Sequence, residues 1–178
     1  SVLLPLAADT GEVQGRTITT SGTVTTGQTS VARVYDTGAT YLNSGLVLTA
    51  ANNSMEPGSG DFTYEFWFNT ASSARQWFFA ASSDWWVGID YNYVGAGLLG
   101  FYLSSNGTSW DIATSDPGGN GRGAIVASLN KWNHVALVRK GTAITLYVNG
   151  VADKTITVTA GTSIVNKSGQ QKRIGNHG

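Results

Sequence analysis

The run Phe62-Thr63-Tyr64-Glu65-Phe66-Trp67-Phe68 constrains this chain more than any other stretch. Four aromatic rings recur at every second position, with Thr63, Glu65 and Trp67 between them. Side chains of a strand point alternately to its two faces, so the run predicts a strand with one aromatic, core-facing side. The other side carries a Trp and is therefore not plain solvent surface.

The rest of the chain follows the same pattern. Helix-period stretches of Ala, Leu, Glu and Lys are missing, and short β-branched and aromatic runs are punctuated by Gly, Asn and Asp. Three successive hairpins are predicted. Residues 98–104 and 109–114 flank Asn106-Gly107, residues 132–139 and 143–148 flank Lys140-Gly141-Thr142, and Asn149-Gly150 joins 144–148 to 151–158. An Asn-Gly pair suits the type I′ turn, which needs φ > 0 at both central residues. Residues 116–121 (Asp-Pro-Gly-Gly-Asn-Gly) read as a loop, and 125–129 as a short turn or helical segment. Nearer the N-terminus, residues 3–7 read as a strand that Pro5 places at an edge or a strand start. Residues 17–26 read as a hairpin around Ser21-Gly22, and 41–42 and 46–49 as short strands. About twelve to fourteen strands split into two packed sheets rather than one. The fold class is all-β, a two-sheet antiparallel jelly-roll sandwich, in a single domain over residues 1–178.

Charge narrows the partners. The chain has 11 basic and 11 acidic residues among 178, a net charge of zero. Phosphate backbones require a basic surplus, so no nucleic acid is expected. With no cysteine there is neither a disulfide nor a thiolate metal site. The uncharged stretches 37–55 and 91–110 are broken by Asn and Ser, which argues against membrane insertion. No basic start precedes an apolar run, so no signal peptide is read. A start at Ser1 predicts a processed chain or a piece of a longer one.

Several segments together resemble one family. Gly60-Asp61 followed by the Phe62–Phe68 run resembles the "gDFTiE-W" strand of the concanavalin A-like lectin/glucanase superfamily, in its laminin-G-like branch. Trp132-Asn133-His134-Val135-Ala136-Leu137-Val138-Arg139, then Leu146-Tyr147-Val148-Asn149-Gly150, resemble its "W-hHvAlvr…lyvNG" hairpin. Residues 35–42 sit where the family has "F-G-…-yl", and Arg173-Ile174-Gly175 resembles its late "iG" strand. The resemblance implies a jelly roll, and a further strand after "iG" that pairs with the N-terminal strand. That strand is not seen before Gly178, so either it lies in residues beyond this sequence or residues 2–7 form a free edge open to another chain. Some relatives bind calcium through loop Asp, Asn and carbonyl oxygens, so Ca2+ is the one ion left open. It takes about six to eight oxygens, and no dense acidic loop offers them. No cofactor is expected otherwise.

The superfamily includes glucanases, which place an acid and a second carboxylate around one glycosidic bond. The chain has three glutamates, Glu12, Glu56 and Glu65. Asp61 and Glu65, four residues apart on one strand, would lie about 13 Å apart. Glycosidase mechanisms need ~5–9.5 Å. No catalytic residue is assigned, and Glu65 is expected to pair with an Arg or Lys on its sheet face. His134 is expected to be a packed or hydrogen-bonded structural residue.

Recognition is the more promising chemistry. Sugar rings stack their CH faces on flat aromatic side chains while carboxylates and amides take the hydroxyls. The candidate ligand-binding residues are Trp85, Trp86, Tyr91, Tyr93 and Trp110, with Asp84, Asp90 and Asn92. Trp85 and Trp86 are adjacent and point to opposite faces, so one can be core while the other is exposed. A non-catalytic recognition or adhesion module is predicted, for glycan or a cell-surface polysaccharide. Low charge, no Cys and abundant Gly and Thr resemble phage and viral structural proteins, in which such modules occur on tail fibres and capsid accessories. That resemblance implies a virion or extracellular setting with other structural chains as partners. A purely structural decoration or cement protein is the second reading, and a glycoside hydrolase-related enzyme the third.

Overall fold

Strands and loops, with no helix, make up everything described in the computed structural model: residues 57–81, 84–93 and 95–165, and the strand backbones Thr17–Thr20, Val24–Gln28, Ala39–Leu42, Leu46–Thr49 and Lys172–Ile174. For residues 79–81 and 84–86 the description is of the backbone alone. The strands, in chain order, are β1 (Thr17–Thr20), β2 (Val24–Gln28), β3 (Ala39–Leu42), β4 (Leu46–Thr49), β5 (Phe62–Phe68), β6 (Gln76–Ala81) and β7 (Asp84–Tyr91). They continue as β8 (Leu98–Leu103), β9 (Arg122–Val126), β10 (Asn133–Lys140), β11 (Ala143–Val148), β12 (Val151–Thr157) and β13 (Lys172–Ile174).

They form two antiparallel sheets of order β1-β4-β13-β6-β7-β8-β9 and β12-β11-β10-β5, with β2-β3 as a separate ribbon. Alternation decides what lies between the two main sheets. Phe68 of β5 is buried, and Phe62, Tyr64 and Phe66 pack against the same cluster. Val135 and Leu137 of β10 and Ile144, Leu146 and Val148 of β11 join them. The opposite sheet contributes Val87, Ile89 and Tyr91 from β7 and Leu99, Phe101 and Leu103 from β8.

Turn chemistry explains why some expected hairpins form and others do not. Asn149 and Gly150 both take positive φ, 51° and 79°, and close β11 onto β12 as the type I′ reading requires. Gly141, at φ 62°, turns β10 into β11, and its N–H donates to Asp61 Oδ1 at 2.7 Å. Around Asn106-Gly107 the outcome differs. Asn106 Oδ1 accepts the N–H groups of Thr108 and Ser109 at 2.7 and 2.9 Å, so the side chain builds its own turn. Residues 109–114 then form a loop that touches β8 through a bridge between Leu103 and Ala113, not a paired strand.

Two further expectations are corrected. Residues 17–26 are not a hairpin, because β1 pairs with β4 in the large sheet while β2 pairs with β3 in the ribbon. Residues 125–129 are not helical. Ile125 and Val126 end β9, and a turn follows with Asn130 at φ 56°. The "iG" segment does form a strand, β13, between β4 and β6. The expected strand at 2–7 lies outside the described residues.

Candidate functional site

The outward face of the seven-stranded sheet carries a connected aromatic and charged cluster. Val87, Ile89 and Tyr91 turn inward, so Gly88 and Asp90 turn outward. On β8 the same alternation sends Gly100 and Tyr102 outward, with Gly88 opposite Tyr102 and Asp90 opposite Gly100. Trp77 of β6 stands opposite Asp90. A Cβ on Gly88 would lie 2.8 Å from the Trp77 ring, so the glycine lets the indole lie against the sheet. Trp77 and Tyr102 then meet with ring centroids 5.1 Å apart, and Tyr102 meets Trp110 at 5.1 Å.

Arg75 sits at the centre. Its guanidinium carbon is 3.7 Å from the Tyr93 ring centroid and 4.6 Å from that of Trp77. Its Nε donates to Asp90 Oδ2 at 3.1 Å, and Nη2 to the Tyr102 hydroxyl at 3.1 Å. That hydroxyl donates in turn to Asp116 Oδ1 at 3.3 Å. Two rings, a carboxylate and a hydroxyl thus hold one partly exposed cation in place. Tyr93, 37% exposed, forms the outer wall.

Asp90 lies beneath this layer, 1% exposed. Burial pushes its pKa up to about 6, against the pull of Arg75 and of the Ser115 hydroxyl, with a smaller push from Asp116. Its Oδ1 is buried and has no hydrogen-bond partner among the described residues. Burial also raises the Tyr102 hydroxyl well above its ordinary value, so it stays a neutral donor.

The expected site residues divide three ways. Tyr93 and Trp110 do join the cluster. Tyr91 does not: it is 1% exposed, packed on Phe68 and Phe78 between the sheets, because it shares a face with Val87 and Ile89. Asp90 faces the cluster but is covered by it, with its Oδ2 held by Arg75. Asn92, at φ 60°, is spent on structure. Its Oδ1 accepts the Gly97 N–H at 2.7 Å, and its Nδ2 donates to the Ser73 carbonyl. It thereby ties the β7–β8 turn to the loop that carries Arg75. The side chains of Asp84, Trp85 and Trp86 lie outside the described residues.

Sequence reasoning missed Arg75, Tyr102, Ser115 and Asp116. For Tyr102 and Ser115 the available signal was Gly88 and Gly100, glycines inside strands, which mark close approach of another group. Glu65 was expected to find an Arg or Lys. Instead its Oε2 lies 3.6 Å from His134 Nε2, on the outward face of the other sheet. Among the described residues no group of three or more His, Asp and Glu is placed to hold a metal ion, and no helix is long and apolar enough to cross a membrane.

A family model described as the concanavalin A-like lectin/glucanases superfamily matches residues 43–178. Among curated proteins none matches the sequence. Similar solved structures include domain 4 of an extracellular arabinanase from Geobacillus stearothermophilus, in complex with arabinotriose. It has TM-score 0.61 and 16% identity, with 93% of this chain and 77% of that one covered. Another is botulinum neurotoxin type C, whose cell entry depends on interaction with two ganglioside molecules. There the TM-score is 0.55 and the identity 18%, over 99% of this chain and 43% of that one. A carbohydrate-binding module from Bacillus subtilis aligns with TM-score 0.46 and 14% identity, over 99% and 97% of the two chains. These likenesses concern the fold.

Proposed function

Taking as premise that the chain belongs to the concanavalin A-like lectin/glucanase superfamily, we propose that it is a non-catalytic module that binds glycan on the outward face of its seven-stranded sheet. The observation that carries this reading is Arg75, clamped between Tyr93 and Trp77 and tethered to Asp90 and Tyr102. The cation is pre-organised, so little side-chain freedom is lost when a ligand arrives. The exposed Tyr93 ring offers an edge for a sugar, and Asp116 is an exposed acceptor for hydroxyls.

The same geometry speaks against catalysis. Asp90, with its raised pKa, has the protonation behaviour of a general acid. Yet one of its oxygens is held by Arg75, and the residue is closed off from solvent. A general acid must come within hydrogen-bond reach of the leaving group. Buried here, Asp90 serves the guanidinium instead. The setting we propose, a virion or another extracellular assembly with neighbouring structural chains, rests on composition: no Cys, 12% charged residues and 23 glycines.

A glycan array that includes arabinotriose and ganglioside headgroups tests this, with wild type, Arg75→Ala and Tyr93→Ala side by side. The expected result is retention of a defined glycan set by wild type, weakened severalfold in both variants. Wild type that retains no glycan, or variants that bind as wild type does, would overturn the reading.

A further inference from the structure

The opposite side of the sandwich carries a second aromatic platform. On β5, Thr63, Glu65 and Trp67 face away from the core, and on β10 so do His134, Ala136 and Val138. Trp67 is paired with His134 across the two strands. Their rings meet at 5.0 Å, and His134 Nε2 lies 3.6 Å from Glu65 Oε2. Trp67 remains 45% exposed and the Glu65 side chain 63%. Together with Phe66 these three residues line an open depression.

We propose that this depression is a second sugar-binding site, which makes the module bivalent across its two faces. The proposal rests on the glycan reading above and extends it. An exposed indole flanked by a carboxylate and an imidazole offers a CH-stacking surface with hydroxyl acceptors and donors at its rim. A protein partner would need roughly 800 Å² of complementary surface with an apolar centre. Beside Trp67 the face instead carries Glu65 and His134, with Thr63, Thr145 and Thr155 farther along the strands. Tyr147, half-buried, lies on the same face, two strands and two residues from Trp67. Strand spacings put it about 12 Å away, a distance a short oligosaccharide spans. The binding energy comes from fixed geometry. His134 is held from behind, its backbone N–H donating to Asn149 Oδ1 at 2.8 Å in the adjoining type I′ turn.

The test is a ¹⁵N nuclear magnetic resonance titration of the whole chain with arabinotriose, a linear β-glucan tetrasaccharide and a ganglioside headgroup oligosaccharide, each to millimolar concentration. At least one should shift the Trp67 indole and the Glu65 and His134 amides. In Trp67→Ala the amide shifts should vanish, and in Glu65→Gln they should weaken severalfold. In Tyr93→Ala they should persist. Both substituted side chains on this face are exposed, so the variants fold. Shifts confined to residues around Arg75 and Tyr93 would overturn the second site and leave the first intact. No shift anywhere with any of the three would overturn both.

Discussion

Asp153 of β12 stands so close to Gly123 of β9 that a Cβ on the glycine would lie 2.0 Å from its Oδ2. The two strands are edges of different sheets, so this contact closes one side of the sandwich. Asp153 Oδ1 accepts the N–H groups of Ala124 and Ile125 at 2.7 and 2.8 Å, joining the sheets where no ladder can.

Removing that carboxylate leaves two donors without their partner. Asp153→Ala is expected to cost about 1–3 kcal/mol. Urea unfolding measures it directly. A change below about 0.5 kcal/mol would mean water replaces the carboxylate without loss.

Leu146 lies at the centre of the inter-sheet core, fully buried and paired with Leu137. Leu146→Ala is expected to lose about 2–5 kcal/mol. Tyr147, one residue on, faces outward, and Tyr147→Ala should cost clearly less. Equal losses at the two positions would mean the register is wrong.

Asp90 makes a pH prediction whose sign follows from burial. Its folded pKa of about 6 lies above the ordinary value of 3.8, so the folded state holds the proton more tightly. The stability contributed by this group therefore falls as pH rises from about 4 to about 6 and is flat above that. Asp111 has the opposite sense, because hydrogen bonds from the Ser105 hydroxyl and N–H outweigh burial and hold it low. Its window lies below about pH 4 and does not overlap. Compared with Asp90→Asn, wild type should gain on the order of 2–3 kcal/mol between pH 7 and pH 4. Thermal melts of both proteins across that range give the difference. A gap that stays constant, or widens the other way, would show that Arg75 already offsets the burial.

Much of the scaffold was legible because local signals agreed. Phe62 to Phe68 alternated cleanly, and Asn149-Gly150 carried its turn in its own dihedrals. Asn106-Gly107 looked the same in sequence, but the Asn106 amide competed with the ladder for backbone donors. The site was only half legible. Tyr93 and Trp110 stood out as aromatics, and so did Tyr91, which the structure places between the sheets. The apolar period Val87, Ile89, Tyr91 marked it as core, and Asp90 beside it as outward. Arg75 could not be read from sequence at all. It lies at the end of a Ser-rich loop, and its partners come from β6, β7, β8 and the turn beyond β7.

The last prediction concerns Gly100, which faces Asp90 across β7 and β8. A Cβ there would lie 1.9 Å from Ser115 Oγ, 2.4 Å from Ser115 Cβ and 3.2 Å from Asp90 Oδ1. A serine has no long side chain to swing aside, so the loop backbone around Ser115 must lift. Gly88 is gentler, since its Cβ would meet the far edge of the Trp77 ring. Gly100→Ala is therefore expected to cost about 1–3 kcal/mol and Gly88→Ala less. The lifted loop carries Asp116, the acceptor for the Tyr102 hydroxyl. Faster amide exchange at residues 113–116 in Gly100→Ala, with β10 and β11 unchanged, is the expected signature. Unchanged exchange there would show that the loop is not seated on the sheet, and the cluster would lose its floor.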